Sequence, residues 1–135
     1  MRSVGLTLAN EGRRGFKFAQ PCVALDGCRC RIYPDRPRYC HEFECILLKN
    51  VIAGRLKHEV ALGIVRTARE KADVVRNLLR ALGDNEEYVA LAARFRSMTK
   101  KFETENLEEE TADLYGQLTL AVHDLNCLLS DAFYR

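Results

Sequence analysis

The stretch H-E-V-A-L-G-I-V-R-T-A-R-E-K-A-D-V-V-R-N-L-L-R-A-L, His58 to Leu82, carries the most regular pattern in this 135-residue chain. Ala61, Val65, Ala68, Ala72, Val75, Leu79 and Leu82 follow one another at steps of 4, 3, 4, 3, 4 and 3. That spacing puts all seven on one face of a helix with 3.6 residues per turn. The pattern predicts a helix over 58–82, about 36 Å long at 1.5 Å per residue. Gly83 is placed to stop it, because a residue just past a helix end commonly takes the left-handed conformation that glycine adopts without strain.

Beyond Gly83, Asp84 or Asn85 is expected to cap the following helix, with Glu86 and Glu87 in its first turn. Leu91, Phe95, Met98 and Phe102 repeat there at 4, 3 and 4. The next stretch holds six acidic groups: Glu103, Glu105, Glu108, Glu109, Glu110 and Asp113. A solvated linker and helix start explains them better than a carboxylate site, because anions are favoured at a helix N-terminus. A last helix follows from Leu114, Leu118, Ala121, Leu125, Leu128 and Ala132, widened by Val122, Leu129 and Phe133. Cys127 lies beside that face and is expected to be a core or partly buried thiol. Short turns between these helices predict antiparallel neighbours. The seams are long enough that a homodimer or a protein partner is kept as an alternative way to cover them.

Before His58 the grammar is different. E-F-E-C-I-L-L-K-N-V reads as helix from His41 onward, with Phe43, Ile46, Leu47 and Val51 on one side, ending at Gly54. Upstream of it, Cys22 to Cys45 reads C-V-A-L-D-G-C-R-C-R-I-Y-P-D-R-P-R-Y-C-H-E-F-E-C. Asp26-Gly27 predicts a turn, and Pro34 to Pro37 forces another. Arg29 to Tyr33 alternates polar and apolar residues and is the best strand candidate. Residues 1–21 are irregular, with Gly5, Gly12 and Gly15 breaking helical order; Phe16 and Phe18 flank Lys17 in a short strand or a docking segment.

Five of the six cysteines, Cys22, Cys28, Cys30, Cys40 and Cys45, fall within this 24-residue segment. The N-terminus lacks the apolar core of about 7–15 residues that a signal peptide needs, so a cytoplasmic location is expected. Thiols stay reduced there, and clustered cysteines point to a metal rather than to disulfides. Cys22, Cys30, Cys40 and Cys45 give C-x7-C-x9-C-x4-C, the expected metal ligands. Four soft thiolates suit zinc and an iron–sulfur cluster equally. Cys28 is a spare: one residue separates it from Cys30, so an extended chain would point both thiols to one side. Cys40 and Cys45 are expected to straddle a helix start, where thiolates are stabilised. His41 is a weaker donor than its neighbour Cys40, and His58 and His123 are read as surface or interface residues.

The charge distribution fits that reading. Residues 1–58 hold eleven Lys/Arg against five Asp/Glu, and residues 59–135 hold ten against fourteen, within an overall formal charge of +2. Cationic side chains around a thiolate cluster offset its negative charge. Nucleic-acid binding is disfavoured, since no stacking motif or basic helix accompanies the charge. No apolar run reaches the roughly 18 residues of a membrane span. No nucleophile–histidine–acid pattern, phosphate loop or dinucleotide glycine motif occurs, and whether the chain is an enzyme stays open.

The cysteine segment resembles the YkgJ-type cysteine cluster family, described as a zinc- or iron-chelating domain. The matching elements are Pro21-Cys22, Leu25-Asp26-Gly27, Cys30-Arg31-Ile32-Tyr33, Asp35-Arg36-Pro37, Tyr39-Cys40 and Glu42-Phe43-Glu44-Cys45. The resemblance covers about 25 residues. It implies a small metal-binding domain of unassigned activity; a relative, flagellin lysine-N-methylase, contains a similar domain, which keeps an iron–sulfur-dependent enzyme as an alternative. Family members usually carry an earlier cysteine group, whereas no cysteine precedes Cys22, so upstream ligands are either dispensed with or lie outside this sequence. His41 stands where the family usually has arginine, and Cys28 is additional. The expectation is thus a mainly α single domain over 1–135. An irregular Cys-rich metal-binding lobe (1–45) precedes an antiparallel helical bundle of three to four helices (46–135).

Overall fold

The computed structural model describes residues 22–134, together with the backbone of 9–10 and 16–17. The protein is mainly helical. Two small antiparallel hairpins come first: β1 (Ala9–Asn10) with β2 (Phe16–Lys17), then β3 (Leu25–Asp26) with β4 (Arg29–Cys30). Five α-helices follow: α1 (Arg38–Glu42), α2 (Ile46–Ile52), α3 (His58–Ala81), α4 (Leu91–Glu103) and α5 (Glu109–Leu129). A short π-helical segment, Ser130–Tyr134, follows α5. The expected roles of Gly5, Gly12, Gly15 and Phe18 lie outside the described residues. Two compact units result: Met1–Glu42 with Glu87–Ala90, and Phe43–Glu86 with Leu91–Arg135.

The second unit is built on α3. The helix expected over 58–82 spans His58–Ala81, and Ala61, Ala68, Val75 and Leu79 of the expected seam are buried. Gly83 takes φ +89°, and its N–H bonds back to the Arg80 carbonyl while Asp84 N–H reaches Leu79. This is the left-handed ending expected from the sequence. The core joins Val75 and Leu79 of α3, Met98 and Phe102 of α4, and Leu118 and Leu125 of α5. Leu79 and Leu118 are fully excluded from solvent. Lys71 of α3 pairs with Asp124 of α5, while Ala81 and Leu82 share a cavity with Thr111 and Leu114. Residues rising along α3 therefore meet residues falling along α5. Tyr115 fills the α4–α5 side: its ring packs edge-on to Phe102 at 5.3 Å and alongside Phe95 at 6.5 Å. Its hydroxyl donates to Thr99 Oγ1 at 3.0 Å.

Several local expectations are corrected. The helix expected from His41 onward is two helices, α1 and α2, separated by Phe43–Cys45. Phe43, expected on the apolar side, is exposed. Cys45, expected with Cys40 to straddle a helix start, is the N-cap of α2 in extended conformation, while Cys40 belongs to the separate helix α1. The strand expected over Arg29–Tyr33 stops at Cys30, and Tyr33–Asp35 forms a 3-10 turn with Pro34 inside it. Proline supplies the fixed φ of such a turn and removes a ladder donor.

Asp84 and Asn85 do not cap a helix that follows at once, since residues 84–90 form a connection and α4 begins only at Leu91. Asp84 instead receives Arg94 Nε at 3.1 Å and the Glu86 N–H at 2.9 Å, and Arg94 Nη2 also donates to the Asp84 carbonyl. The Arg94 side chain is 2% exposed and that of Asp84 10%. Once an ion pair is withdrawn from water, removing one partner strands the other charge. Asp84→Ala is therefore expected to cost about 3–5 kcal/mol of stability, and Asp84→Ala with Arg94→Met to recover much of that. Urea midpoints of the three proteins check it, and equal midpoints for Asp84→Ala and the unaltered protein would reject the pair as a structural element.

Candidate functional site

Among the described residues of the first unit, apolar burial is slight. Ala24, at 1% exposure, is its one buried apolar residue among those described. Its order comes from turns and hydrogen bonds. Leu25 N–H donates to the Cys22 carbonyl, closing a tight turn at Val23–Ala24. β3 then pairs Leu25 with Cys30 and Asp26 with Arg29, and Arg31 N–H extends the ladder to the Ala24 carbonyl. The connection is the two residues Gly27–Cys28, with Gly27 at φ +56° and no other residue of the hairpin at positive φ. A two-residue hairpin with positive φ only at its first position is a type II′ turn, and glycine there is what that turn requires.

This geometry fixes where the thiols stand. Cys22 opens the turn and Cys30 closes β4, and both are half-buried. Cys28 sits in the hairpin loop and is exposed. The expectation that Cys28 and Cys30 share one face of an extended strand is therefore corrected, because Cys28 belongs to the turn. Cys40 lies inside α1 and is exposed; its N–H bonds to the Pro37 carbonyl at 2.9 Å, so Pro37 begins that helical turn. Cys45 heads α2 in the second unit and is half-buried, and no side-chain capping bond engages its thiol.

The arginines of the segment have structural partners. Arg31 donates to the Val23 carbonyl. Arg36 donates to the Tyr33 carbonyl at 2.8 Å and lies 3.9 Å above the Tyr33 ring, a cation–π stack. Arg38 pairs with Glu42 along α1. These contacts pin the loops that carry the cysteines.

None of the six cysteines is joined to another as a disulfide. The donor chemistry suits a soft ion. The placement is less complete: among the described residues no three His, Cys, Asp or Glu side chains stand where they would hold a metal together. The structure thus orders the cysteine-bearing hairpin and α1, joined by the 3-10 turn, without drawing their thiols to a common point.

Two residues deserve a changed reading. Cys127, expected to be core or partly buried, is exposed on α5, and its Sγ lies 3.5 Å from His123 Nε2 one turn away. The H-x3-C spacing at residues 123–127 was the signal available for that pair. Arg94, absent from every expected site, is the one buried cation among the described residues; nothing in its local sequence distinguishes it from its solvated neighbour Arg96. Among the described residues no helix is long and apolar enough to cross a membrane. Comparison with models of protein families, with curated proteins and with solved structures finds no match to this chain.

Thiol accessibility follows directly from these placements. In the metal-free, reduced protein, brief iodoacetamide treatment should label Cys28, Cys40 and Cys127 ahead of Cys22, Cys30 and Cys45. Peptide mass spectrometry reads the order, and early labelling of Cys22 and Cys30 would contradict the hairpin.

Proposed function

We propose that this chain is a metal-binding protein whose cysteine segment holds a soft metal centre, zinc or an iron–sulfur cluster. The observation that carries the reading is the concentration of five unbridged cysteines in residues 22–45, four of them on a unit in which Ala24 is the one buried apolar residue among those described. A unit of that kind gains little from burial, and metal–thiolate bonds supply folding free energy directly. The ligand set remains Cys22, Cys30, Cys40 and Cys45, with Cys28 in reserve. The resemblance of residues 21–45 to the YkgJ-type cluster supports the same set. Because the thiols are not gathered in the structure, loading is coupled to closure of the loops around the ion, as in small domains whose site forms only on binding. A bound zinc would act as a structural staple, and an iron–sulfur cluster would add electron transfer. Cytoplasmic residence keeps the thiols reduced and available.

A second reading has its own observation. Phe43, Leu48 and Ile52, on and just before α2, are exposed apolar residues close together in sequence, and such clusters often mark interaction surfaces. In that case the helical unit docks a protein partner and the metal only orders the N-terminal segment.

Anaerobically purified protein should contain one metal centre per chain. Zinc without visible absorbance identifies the staple, whereas iron with sulfide and broad absorbance identifies the cluster and favours the enzyme alternative. Cys40→Ser should lose the metal and raise amide hydrogen exchange in the N-terminal unit, while the far-UV circular dichroism of α3, α4 and α5 is kept. Protein that carries no metal after such purification, or a Cys40→Ser variant with undiminished metal, would reject the reading.

A further inference from the structure

The pair His123–Cys127 stands apart from the N-terminal cysteines, and its dimensions have a meaning. A tetrahedral zinc ion holds a thiolate at about 2.3 Å and an imidazole nitrogen at about 2.0–2.1 Å, which sets these two donor atoms about 3.6 Å apart. Cys127 Sγ and His123 Nε2 are 3.5 Å apart. Both residues are exposed, and both lie inside the 21-residue helix α5. The donor atoms already face each other at the bite of a chelated zinc, on a rigid element that holds the i, i+4 geometry. Imidazole with thiolate selects a zinc-class divalent ion over magnesium or calcium.

Two protein donors fill only half of a tetrahedral shell. Asp124, the acidic neighbour, is engaged by Lys71, and no third His, Cys, Asp or Glu completes the group among the described residues. The surface around the pair suits a second copy of the same helix. Gly116, Leu120, His123 and Cys127 recur at steps of 4, 3 and 4 and are all exposed. Leu120 is 71% exposed, which is costly for a leucine with nothing against it. Gly116 has open space where a Cβ would stand, so a partner helix can approach closely there.

We propose that zinc joins two copies of this chain through His123 and Cys127 of each, in a twofold-symmetric His₂Cys₂ site that also covers Leu120. Each copy contributes the Nε2 lone pair of His123 and the sulfur of Cys127. Each Cys127 releases its S–H proton to solvent as the zinc–sulfur bond forms, so two protons leave per ion. Because the two contributions are identical, the contact closes on itself and stops at a dimer. The site uses none of the N-terminal cysteines and does not depend on their loading.

The test uses full-length protein in the presence of a phosphine reductant, freed of loosely held metal and then titrated with zinc. Sedimentation velocity should show the mass doubling, with about half an ion per chain taken up beyond what the N-terminal segment holds, and EDTA should return the monomer. His123→Ala and Cys127→Ala should each stay monomeric and lose only that half ion, with helicity kept. His123→Cys, which restores two soft donors, should dimerise again on zinc addition. Cobalt(II) in place of zinc should add a thiolate-to-cobalt charge-transfer absorbance beyond whatever the N-terminal segment gives, and the two alanine variants should lack that increment. A mass that ignores zinc, a shift that persists equally in both alanine variants, or a full ion bound per chain without a change of mass would each overturn the proposal. Failure of metal loading at the N-terminal segment would leave all these differences between variants in place, so the two readings fail separately.

Discussion

The second unit depends on the burial of one face of α3. Leu79 at its C-terminal end and Leu118 of α5 are fully withdrawn from water. Met98 and Phe102 of α4, with Val75 and Leu125, complete the core around these two. The N-terminal half of the same face is mostly alanine, with Ala61 and Ala68 buried, and the C-terminal half carries Val75 and Leu79. A face of that taper lets elements come close at one end and demands large partners at the other. The large partners are Met98 and Phe102 from α4 and Leu118 and Leu125 from α5. Apolar burial is worth roughly 25 cal/mol per Å², so six well-buried side chains outweigh any single hydrogen bond described in this unit. Polar elements then act as locks on an arrangement that burial has already selected. Tyr115 with Thr99 fixes α4 against α5, and Arg94 with Asp84 ties α4 to the end of α3.

The first unit rests on the opposite principle. It has short hairpins, a 3-10 turn and a five-residue helix, and Ala24 is the one apolar residue in it known to be buried. Val23, Leu25, Tyr33 and Tyr39 are all exposed. Isolated hairpins of two-residue strands and helices of one turn are not stable by themselves in water. The backbone bonds at Cys22–Leu25 and Ala24–Arg31, and the arginine contacts to carbonyls and to Tyr33, specify a shape; they do not supply a core.

How much of this was legible in the residues follows from the same contrast. The periodic elements were readable because burial imposes period on sequence. The seam through Ala61, Ala68, Val75 and Leu79 gave α3 to within a residue at its C-terminal end, and Gly83 marked that end because a left-handed residue was needed there. Leu118 and Leu125 marked α5 in the same way. What escaped were features set by tertiary partners. Asp84 looks like a helix cap until Arg94, ten residues on, claims its carboxylate. The break at Phe43–Cys45 leaves no proline or glycine behind, so the run E-F-E-C-I-L-L reads as one helix although Cys45 is extended. In the cysteine segment, Asp26-Gly27 correctly signalled a turn, but the hairpin loop lies one residue later, at Gly27–Cys28, and this shift takes Cys28 off the strand. A one-residue error matters little in a helix seam and changes which thiols share a face in a hairpin.

The six thiols themselves bear on what the chain does. Cysteine without a disulfide is among the residues most often found fully buried, where it acts as a small apolar filler. Here none of the six is buried: three are half-buried and three exposed. An exposed thiol adds nothing to packing and bears the risk of oxidation, so packing does not account for them. Arginine contacts to the Val23 and Tyr33 carbonyls and to Glu42 order parts of the segment that carries those at 22–45. Cys127 sits on the solvent side of a helix whose opposite side is fully occupied by the core, facing an imidazole. In both places the protein spends backbone order on presenting sulfur rather than on hiding it. That is the arrangement expected where the sulfur's bonding partner comes from outside the chain.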